Sequence, residues 1–252
     1  MTQSAQASLS LFLKRLLLRS PLRAEEQGAV LDLTGTEHRY AAHRDIVMPD
    51  EHVESACLVV KGLVGRYDQR LDGRRQVTSF YIPGDMCDLH SVVVPKASWS
   101  ISAISDATVV RIPHKQLRRM CIEYPALAIA FWRDGTVDSS IFAKWVGNLG
   151  RKSAKERLTH LFCEMGLRIE AAGLGTRQQF ELRATQEQLG EATGLTSVHV
   201  NRTLQEIRGQ GLLTFDRGHV GISDWTAIAA TAEFDPGYLM LSGTEAQSRS
   251  PS

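Results

Sequence analysis

Residues 185–223 constrain the fold of this chain more than any other segment. Thr185 can accept a hydrogen bond from the first turn of a short helix, and an acidic or amide side chain two or three residues later can return one. Gly194 tolerates a positive φ where this helix stops, and Thr196 can cap another helix directly after it. The pattern therefore predicts two short helices joined by a tight turn.

The second of these helices is predicted to have an apolar and a polar side. Val200, Leu204 and Ile207 follow one another at 4-3 spacing, which places them on one face. The other side carries mostly polar residues, namely Ser197, His199, Asn201, Arg202 and Gln205. A β-hairpin wing is predicted over residues 212–222, with its turn at 216–218. Together these features predict a winged helix-turn-helix.

A helix of this kind fits the major groove of B-DNA, where each base pair presents its own set of donors and acceptors. The Arg202 guanidinium can donate two hydrogen bonds to guanine O6 and N7, and hydroxyls beside a helix N-terminus can bond phosphates. The predicted DNA-contacting residues are Thr185, Gln186, Thr196, Ser197, Val198, His199, Asn201 and Arg202.

The charge of the segment gives the opposite indication. The whole chain has 29 basic and 28 acidic residues, and residues 184–223 carry three arginines against three glutamates and one aspartate, a net charge of −1. Most DNA-binding domains show a basic surface instead. A helix-turn-helix that makes only protein contacts is therefore the alternative to DNA binding.

Residues 36–113 have the pattern of a small all-β domain. Short β-type runs alternate with turn signals, of which Asp72-Gly73 predicts the clearest hairpin. The predicted strands cover residues 45–48, 55–61, 63–69, 76–82, 98–104 and 108–112. Strands at this regular spacing predict a sandwich or barrel.

Helices are predicted on both sides of the β segment. Before it, residues 9–18 form a short amphipathic helix, and residues 20–32 form another with Ser20 as N-cap. After it, a long helix from Pro125 to about Gly150 has an a/d-type seam made of Phe131, Gly135, Asp138, Phe142, Trp145 and Leu149. This seam indicates either a contact between two copies of the helix or burial against the chain's own β domain, and the pattern alone favours neither.

The remaining chain adds a further helix over residues 153–170 and a tail after Ser242 that is predicted to be disordered, because it has no apolar side chains to bury. The cysteines Cys57, Cys87, Cys121 and Cys163 are too widely spaced for a zinc or iron–sulfur loop, and we predict no metal site. No apolar run is long enough for a transmembrane helix or a signal peptide, so we expect a cytoplasmic protein.

The segment TQEQLGEATGLTSVHVNRTLQEIRGQGLL resembles the DNA-binding motif of the Crp/Fnr family of bacterial transcription regulators, with Arg202, Gly190 and Gly194 at the family's positions. ACLVVKGLVGRY and YIPGD are similar to the β-roll of that family. The resemblance implies an α+β fold with an N-terminal double-stranded β-helix (a jelly roll of cyclic-nucleotide-binding type), a dimerisation helix and a C-terminal winged helix-turn-helix. These correspond to residues 1–124, 125–150 and 151–240, with a disordered tail at 241–252.

The resemblance also implies a role rather than a reaction. It implies a homodimer whose two recognition helices, about 34 Å apart, read a palindromic operator. It also implies an activator that contacts RNA polymerase, and no enzymatic activity. A cupin-like metal enzyme would need an H-x-H pair, which His38, His43, His52 and His90 do not form.

The chain departs from the cyclic-AMP-binding members of the family at the effector pocket. The pocket positions by this comparison are Gly84, Asp85, Ser98 and Trp99. Ala97 occupies the place of the phosphate-binding arginine, and a buried phosphate without a charged partner is poorly compensated. We therefore predict no cofactor, with cyclic AMP disfavoured and heme or an iron–sulfur cluster unsupported. The alternatives are an effector of another kind, no effector, or a cyclic-nucleotide- or heme-responsive regulator.

Overall fold

The structure is a computed structural model that describes residues Thr2–Leu241. Two compact units make up this part of the chain. The first contains the described residues up to Val64, Tyr81–Ser140 and the residues from Leu239, and the second contains Gly65–Phe80 and Ile141–Tyr238. The predicted disordered tail after Ser242 lies outside the described residues.

Two helices begin the first unit. Helix α1 spans Gln3–Leu17, longer than predicted, and α2 spans Ala24–Leu31. The prediction that Ser20 caps α2 is wrong. Arg23 is the N-cap, where its backbone N–H donates to the Glu26 carboxylate at 2.6 Å, whereas the Ser20 hydroxyl accepts from Arg133 Nη1 at 2.7 Å. The Ser20 hydroxyl is therefore used in a contact with a residue distant in the sequence and not as a helix cap.

Seven strands follow, of which the sequence predicted six to within about two residues at each end. They are β1 (Thr36–Tyr40), β2 (Asp45–Val47), β3 (Ser55–Lys61), β4 (Val64–Gln69), β5 (Arg75–Tyr81), β6 (Ser100–Ala103) and β7 (Ala107–Pro113). Strand β7 is the centre of the antiparallel sheet β1-β7-β3, and β2 pairs antiparallel with β6. The strand that the sequence did not reveal, β1, is mostly exposed and polar, so it has no apolar alternation to detect.

Strand β3 divides the buried side chains of the first unit into two clusters, because alternate residues point to opposite faces. Cys57 and Val59 face the interior of the roll, together with side chains of β2, β6 and β7. Ala56, Leu58 and Val60 face the other way and pack with α1 and the following helix α3 (His114–Glu123). A short 3-10 helix, Leu89–Val92, lies between β5 and β6.

Helix α4 runs continuously from Pro125 to Arg151, close to its predicted bounds. The second unit then contains α5 (Ala154–Ala172), β8 (Gln179–Glu181), α6 (Gln186–Thr193), α7 (Ser197–Gly209), β9 (Leu213–Asp216), β10 (His219–Ile222), α8 (Trp225–Thr231) and a 3-10 helix, Pro236–Leu239. The last sheet has the order β8-β10-β9. The predicted hairpin wing thus gains a third strand, β8, which was too short to be recognised. Among the described helices, none combines the length and apolarity needed to cross a membrane.

Candidate nucleic-acid interface

Helices α6 and α7 and the turn between them form the predicted helix-turn-helix. Thr185 is the N-cap of α6, and its side chain accepts from Gln188 N at 3.2 Å while Gln188 Oε1 accepts from Thr185 N at 2.8 Å. This reciprocal pair satisfies two backbone donors that a helix start otherwise leaves open. Thr196 caps α7 through its hydroxyl, which accepts from His199 N at 3.3 Å. Both caps agree with the sequence-based prediction.

Two glycines fix the angle between the helices. Gly194 ends α6 in the left-handed conformation, with φ 65°. A β-carbon built on Gly190 would overlap the carbonyl oxygen of Leu195 in the turn. The backbones of the helix and the turn can approach this closely only because position 190 has no side chain.

Helix α7 has one side in the core and one in solvent, as predicted. Val200, Leu204 and Ile207 are buried. The outward side carries Ser197, Val198, Asn201, Arg202 and Gln205, all exposed. Val198 is 75% exposed although it is apolar. Val198 therefore buries little apolar surface in the monomer, and its methyl groups can pack against a thymine methyl in the major groove.

The outward side of α7, together with the start of α6, forms a continuous polar surface. Asn201 Nδ2 donates to Gln186 Oε1 at 3.1 Å, which brings the first residue of α6 beside the recognition helix. The His199 ring lies 3.2 Å from the Thr196 hydroxyl. Arg202 is exposed, and no hydrogen bond or ion pair of Arg202 is found in the described part of the chain. Its five N–H donors are therefore available to a ligand.

The wing follows directly after α7. In β9 and β10, Asp216 pairs with His219 and Leu213 with Ile222, so the predicted hairpin is present. Its turn contains Arg217 at φ 47° and Gly218 at φ 83°. Arg208, near the end of α7, donates to the carbonyl of Phe215 at 3.4 Å. This contact joins the recognition helix to the wing.

The predicted seam of helix α4 is divided between the interior and the surface. Phe131 is buried against Phe12 of α1, with ring centroids 5.9 Å apart, and Trp145 is buried, with Nε1 donating to Glu164 at 2.9 Å. Asp138 accepts a hydrogen bond from the Tyr81 hydroxyl at 3.3 Å. Gly135 and Phe142 are exposed and Leu149 is half-buried. An exposed stripe shares Phe142 with this seam. We call it the outer face of α4, and it consists of Ile129, Trp132, Thr136, Ser139, Phe142 and Val146.

The four predicted effector residues have different surroundings. Gly84 has a φ of 90° in the turn before the 3-10 helix, and a β-carbon there would lie 2.5 Å from the Leu11 side chain of α1. The Asp85 carboxylate is buried and forms an ion pair with Arg15 of the same helix. Ser98 is exposed, and Trp99 packs against the His90 ring with centroids 4.6 Å apart.

The buried charge beside the roll interior is a residue that the sequence did not single out. Asp88 accepts from Cys57 N at 2.5 Å through Oδ1, while Oδ2 is buried without a hydrogen-bond partner. Burial raises the pKa of Asp88 to about 6. Arg111, the guanidinium that interacts with Asp88, donates instead to the Ile46 carbonyl at 2.6 Å and the Tyr40 hydroxyl at 3.2 Å. The carboxyl group of Asp88 would repel a phosphate placed beside it, and Arg111 already donates to two oxygens of the protein.

Two family models match the chain over most of these elements. The cyclic nucleotide-binding domain matches residues 37–124, and the Crp-like helix-turn-helix domain matches residues 156–231. The first covers the strands of the roll and α3, and the second covers the end of the chain from α5 to α8. Groups of three or more potential metal ligands are not found in Thr2–Leu241.

Individual relatives are consistent with these matches. The chain is 26% identical to the nitrogen fixation regulation protein FixK of Azorhizobium caulinodans over 185 residues, which are 73% of this chain and 74% of that protein. It is 22% identical to the transcriptional activator protein FnrL of Cereibacter sphaeroides over 214 residues, 83% of this chain and 86% of that protein.

A solved structure agrees in fold and in sequence. The structure of FixK2 from Bradyrhizobium japonicum superimposes with a TM-score of 0.72 and 28% identity, covering 79% of this chain and 98% of that one. The fold class predicted from the sequence is confirmed by these matches. The chain belongs to the Crp/Fnr family of DNA-binding transcription regulators, which are not enzymes.

Proposed function

We propose that this regulator binds a palindromic operator as a homodimer, in which one α7 helix from each copy enters the major groove. The observation that carries the proposal is the outward side of α7, where exposed Val198, Asn201 and Arg202 are backed by a buried apolar side. Arg202 reads guanine through O6 and N7, while hydroxyls at the start of α6 and α7 bond the flanking phosphates. The proposed DNA contacts are the eight residues predicted from the sequence, namely Thr185, Gln186, Thr196, Ser197, Val198, His199, Asn201 and Arg202.

The proposed dimer contact is the outer face of α4. Trp132 is 75% exposed and Ile129 is 50% exposed on a helix whose other side is already buried. The apolar members of this face form two pairs, Ile129 with Trp132 and Phe142 with Val146, spaced three and four residues apart. Such spacing on an exposed helix face suits packing between two helices. A C2 dimer presents two recognition helices to successive major grooves, which requires half-sites about one helical turn apart.

We further propose that the protein activates transcription through contact with RNA polymerase in the cytoplasm, where the chromosome is accessible. FnrL, with which this chain shares its family, is named a transcriptional activator protein. We propose an effector other than cyclic AMP, or none. The carboxyl group of Asp88 and the occupied hydrogen bonds of Arg111 support this part of the proposal.

The test is in-vitro selection of bound DNA from a random duplex pool, with purified full-length protein and no added ligand. We expect enrichment of a palindrome with half-sites about 10 base pairs apart centre to centre, and a guanine within each half-site. A parallel selection with cyclic AMP present should return the same sequences with the same yield. Equal recovery of all sequences at physiological salt would refute operator recognition, and enrichment only with cyclic AMP would refute the effector proposal.

A further inference from the structure

Two cysteines are directly opposed in the interior of the roll. Cys57 lies in β3, and Cys87 lies on the segment that runs antiparallel to it after the turn at Gly84. The isolated bridge Leu58–Met86 sets the register, so that Cys57 and Cys87 are the next pair along. Cys87 N donates to the Cys57 carbonyl at 3.0 Å. Both side chains belong to the same buried cluster.

The Cys87 thiol points toward Cys57. Its sulfur donates to the Cys57 carbonyl oxygen at 3.3 Å, and both side chains lie in the same buried cluster. In an antiparallel pair of this type the α-carbons are about 5.5 Å apart, which is within the range of about 4.4–6.8 Å found in disulfides. Cys121, by contrast, packs in the other cluster of this unit, and Cys163 lies in the second unit.

The backbone at this pair is less constrained than in a regular ladder. An ordinary hydrogen-bonded pair has two backbone hydrogen bonds, but here Cys57 N donates to the Asp88 carboxylate at 2.5 Å instead of to the facing carbonyl. Asp88 Oδ1 thus takes the place of the backbone carbonyl that would accept the second hydrogen bond. The backbone N–H of Cys57 is therefore held by a side chain and not by the segment that carries Cys87.

From this geometry we propose that Cys57 and Cys87 form a reversible redox pair, which a hydroperoxide converts into a disulfide inside the roll. The Cys57 sulfur attacks one oxygen of the hydroperoxide, the O–O bond breaks, and the other oxygen leaves as an alcohol or water after taking a proton. Cys57 is then a sulfenic acid. The Cys87 sulfur attacks the Cys57 sulfur, the S–O bond breaks, and hydroxide leaves as water with the Cys87 proton. Two thiols and one hydroperoxide give one disulfide, one alcohol and one water.

The surroundings assign the order of the two steps. The hydrogen bond to Cys57 and burial raise the pKa of the Cys87 thiol, so that Cys87 keeps its proton. Arg111 is the residue opposite Cys57 in β7, and its guanidinium interacts electrostatically with the Cys57 sulfur. Cys57 therefore reacts first and Cys87 resolves the sulfenic acid. Because Cys57 is 0% and Cys87 2% exposed, local opening of the roll limits the rate.

The disulfide would act on the turn that precedes it. The same turn carries Gly84 and Asp85, which contact Leu11 and Arg15 of helix α1. Formation of the disulfide would therefore displace the turn whose residues contact α1. The proposal does not depend on the choice of operator or on the dimer contact, and its test does not require DNA.

The experiment is peptide mapping of the full-length protein. Reduced native protein is treated with hydrogen peroxide or tert-butyl hydroperoxide, free thiols are blocked with N-ethylmaleimide in denaturant, and the digest is analysed by mass spectrometry with and without dithiothreitol. We expect a peptide pair joined through Cys57 and Cys87 that dithiothreitol separates. Cys121→Ala is the matched control, and it should give the same yield of the joined pair.

Two variants test the order of the steps. In Cys87→Ala the sulfenic acid on Cys57 cannot be resolved, so dimedone should label Cys57. In Cys57→Ala the label should be absent from Cys87. The proposal would be overturned if N-ethylmaleimide still labelled both cysteines after oxidation. It would also be overturned if Cys57 and Cys87 were cross-linked to Cys121, to Cys163 or to a second chain instead of to each other. Peptide mapping of the wild-type protein decides this even where a variant does not fold.

Discussion

Arg202 combines three properties that a base-reading side chain needs. It is exposed, it has no hydrogen bond or ion pair within the described chain, and it extends from a helix whose other side is anchored by Val200 and Leu204. The backbone at Arg202 is therefore already fixed in the free protein, so that little conformational entropy is lost on binding.

We predict that Arg202→Ala loses about 1–3 kcal/mol of specific affinity and relaxes the preference at one base pair in each half-site. The measurement is a binding titration on the selected operator and on the same duplex with the proposed guanine replaced. Arg39→Ala, on exposed strand β1 of the first unit, is the control and should bind both duplexes as the wild type does. An equal loss of affinity on every duplex would mean that Arg202 contacts only phosphate.

Gly190 gives a prediction about stability. A methyl group at this position overlaps the Leu195 carbonyl, so Gly190→Ala must separate α6 from the turn, and we expect a cost of about 1–3 kcal/mol in the free energy of unfolding. Gly209→Ala, at the end of α7, is the matched control because nothing lies within 4 Å of its added carbon. Urea denaturation of both variants tests this. Equal stability of the two would show that the close approach at Gly190 is not needed for the fold.

The residues of the site were predictable where the signal is local. Thr185 and Thr196 cap helices because of groups within three positions of each in the sequence. The contact between Asn201 and Gln186 spans 15 residues and depends on the crossing of two helices, which no local pattern encodes. Asp88 was missed for the same reason, because its role comes from Cys57, 31 residues away in the chain.

At the scale of elements, helix α4 shows what periodicity can and cannot predict. Pro125 and Gly150 predicted the bounds of the helix to within one residue, and the 4-3 spacing between them is that of a helix. It could not tell which of two adjacent apolar stripes faces the chain's own core, because that depends on α1 for Phe131 and on α5 for Trp145. Strand β8 was missed because a three-residue strand becomes regular only when β10 pairs with it.

The outer face of α4 leads to a prediction about oligomeric state. Trp132→Asp places a carboxylate in the proposed dimer contact, and desolvation of that charge should cost at least about 2 kcal/mol, a more than tenfold rise in the dimer dissociation constant. Sedimentation over a concentration series measures this. Trp132→Phe keeps the site apolar and serves as the control.

The contrast with Trp145 makes the result interpretable. Trp145 is buried and bonded to Glu164, so its replacement by aspartate should destabilise the monomer itself. Trp132 is 75% exposed, and its replacement should leave the circular dichroism spectrum unchanged. A Trp132→Asp protein that sediments as the wild type does would remove the outer face of α4 from the dimer proposal.

For the molecule as a whole, two buried groups oppose each other in the pH dependence of stability. Asp88 has a pKa raised to about 6 by burial, so the folded state binds the proton more tightly and this group favours folding as the pH falls. His160, in α5, has a pKa lowered to about 3 by burial and by the charges of Lys152 and Lys144. Its contribution is complete above the pKa of about 6.5 in the unfolded chain and is lost as the pH falls toward 3.

We predict that His160→Phe flattens the acid limb of the stability curve. The imidazole packs against Phe234 at 5.1 Å and Tyr238 at 6.0 Å between ring centroids, and its buried Nε2 has no hydrogen-bond partner. Phenylalanine keeps the ring contacts and removes both the orphaned nitrogen and the titration. Between about pH 6.5 and pH 5 the wild type should lose up to about 2 kcal/mol from this group, at about 1.4 kcal/mol per pH unit.

Urea denaturation of both proteins at neutral pH and near pH 5 isolates this contribution, because Asp88 is unchanged in the variant and its opposite effect cancels in the difference. The stability advantage of His160→Phe over the wild type should therefore grow as the pH falls. The Asp88 contribution alone would make both proteins more stable on acidification by the same amount, so it does not enter the difference. An advantage that stays constant from neutral pH to pH 5 would mean that His160 reaches solvent and titrates normally in the folded state.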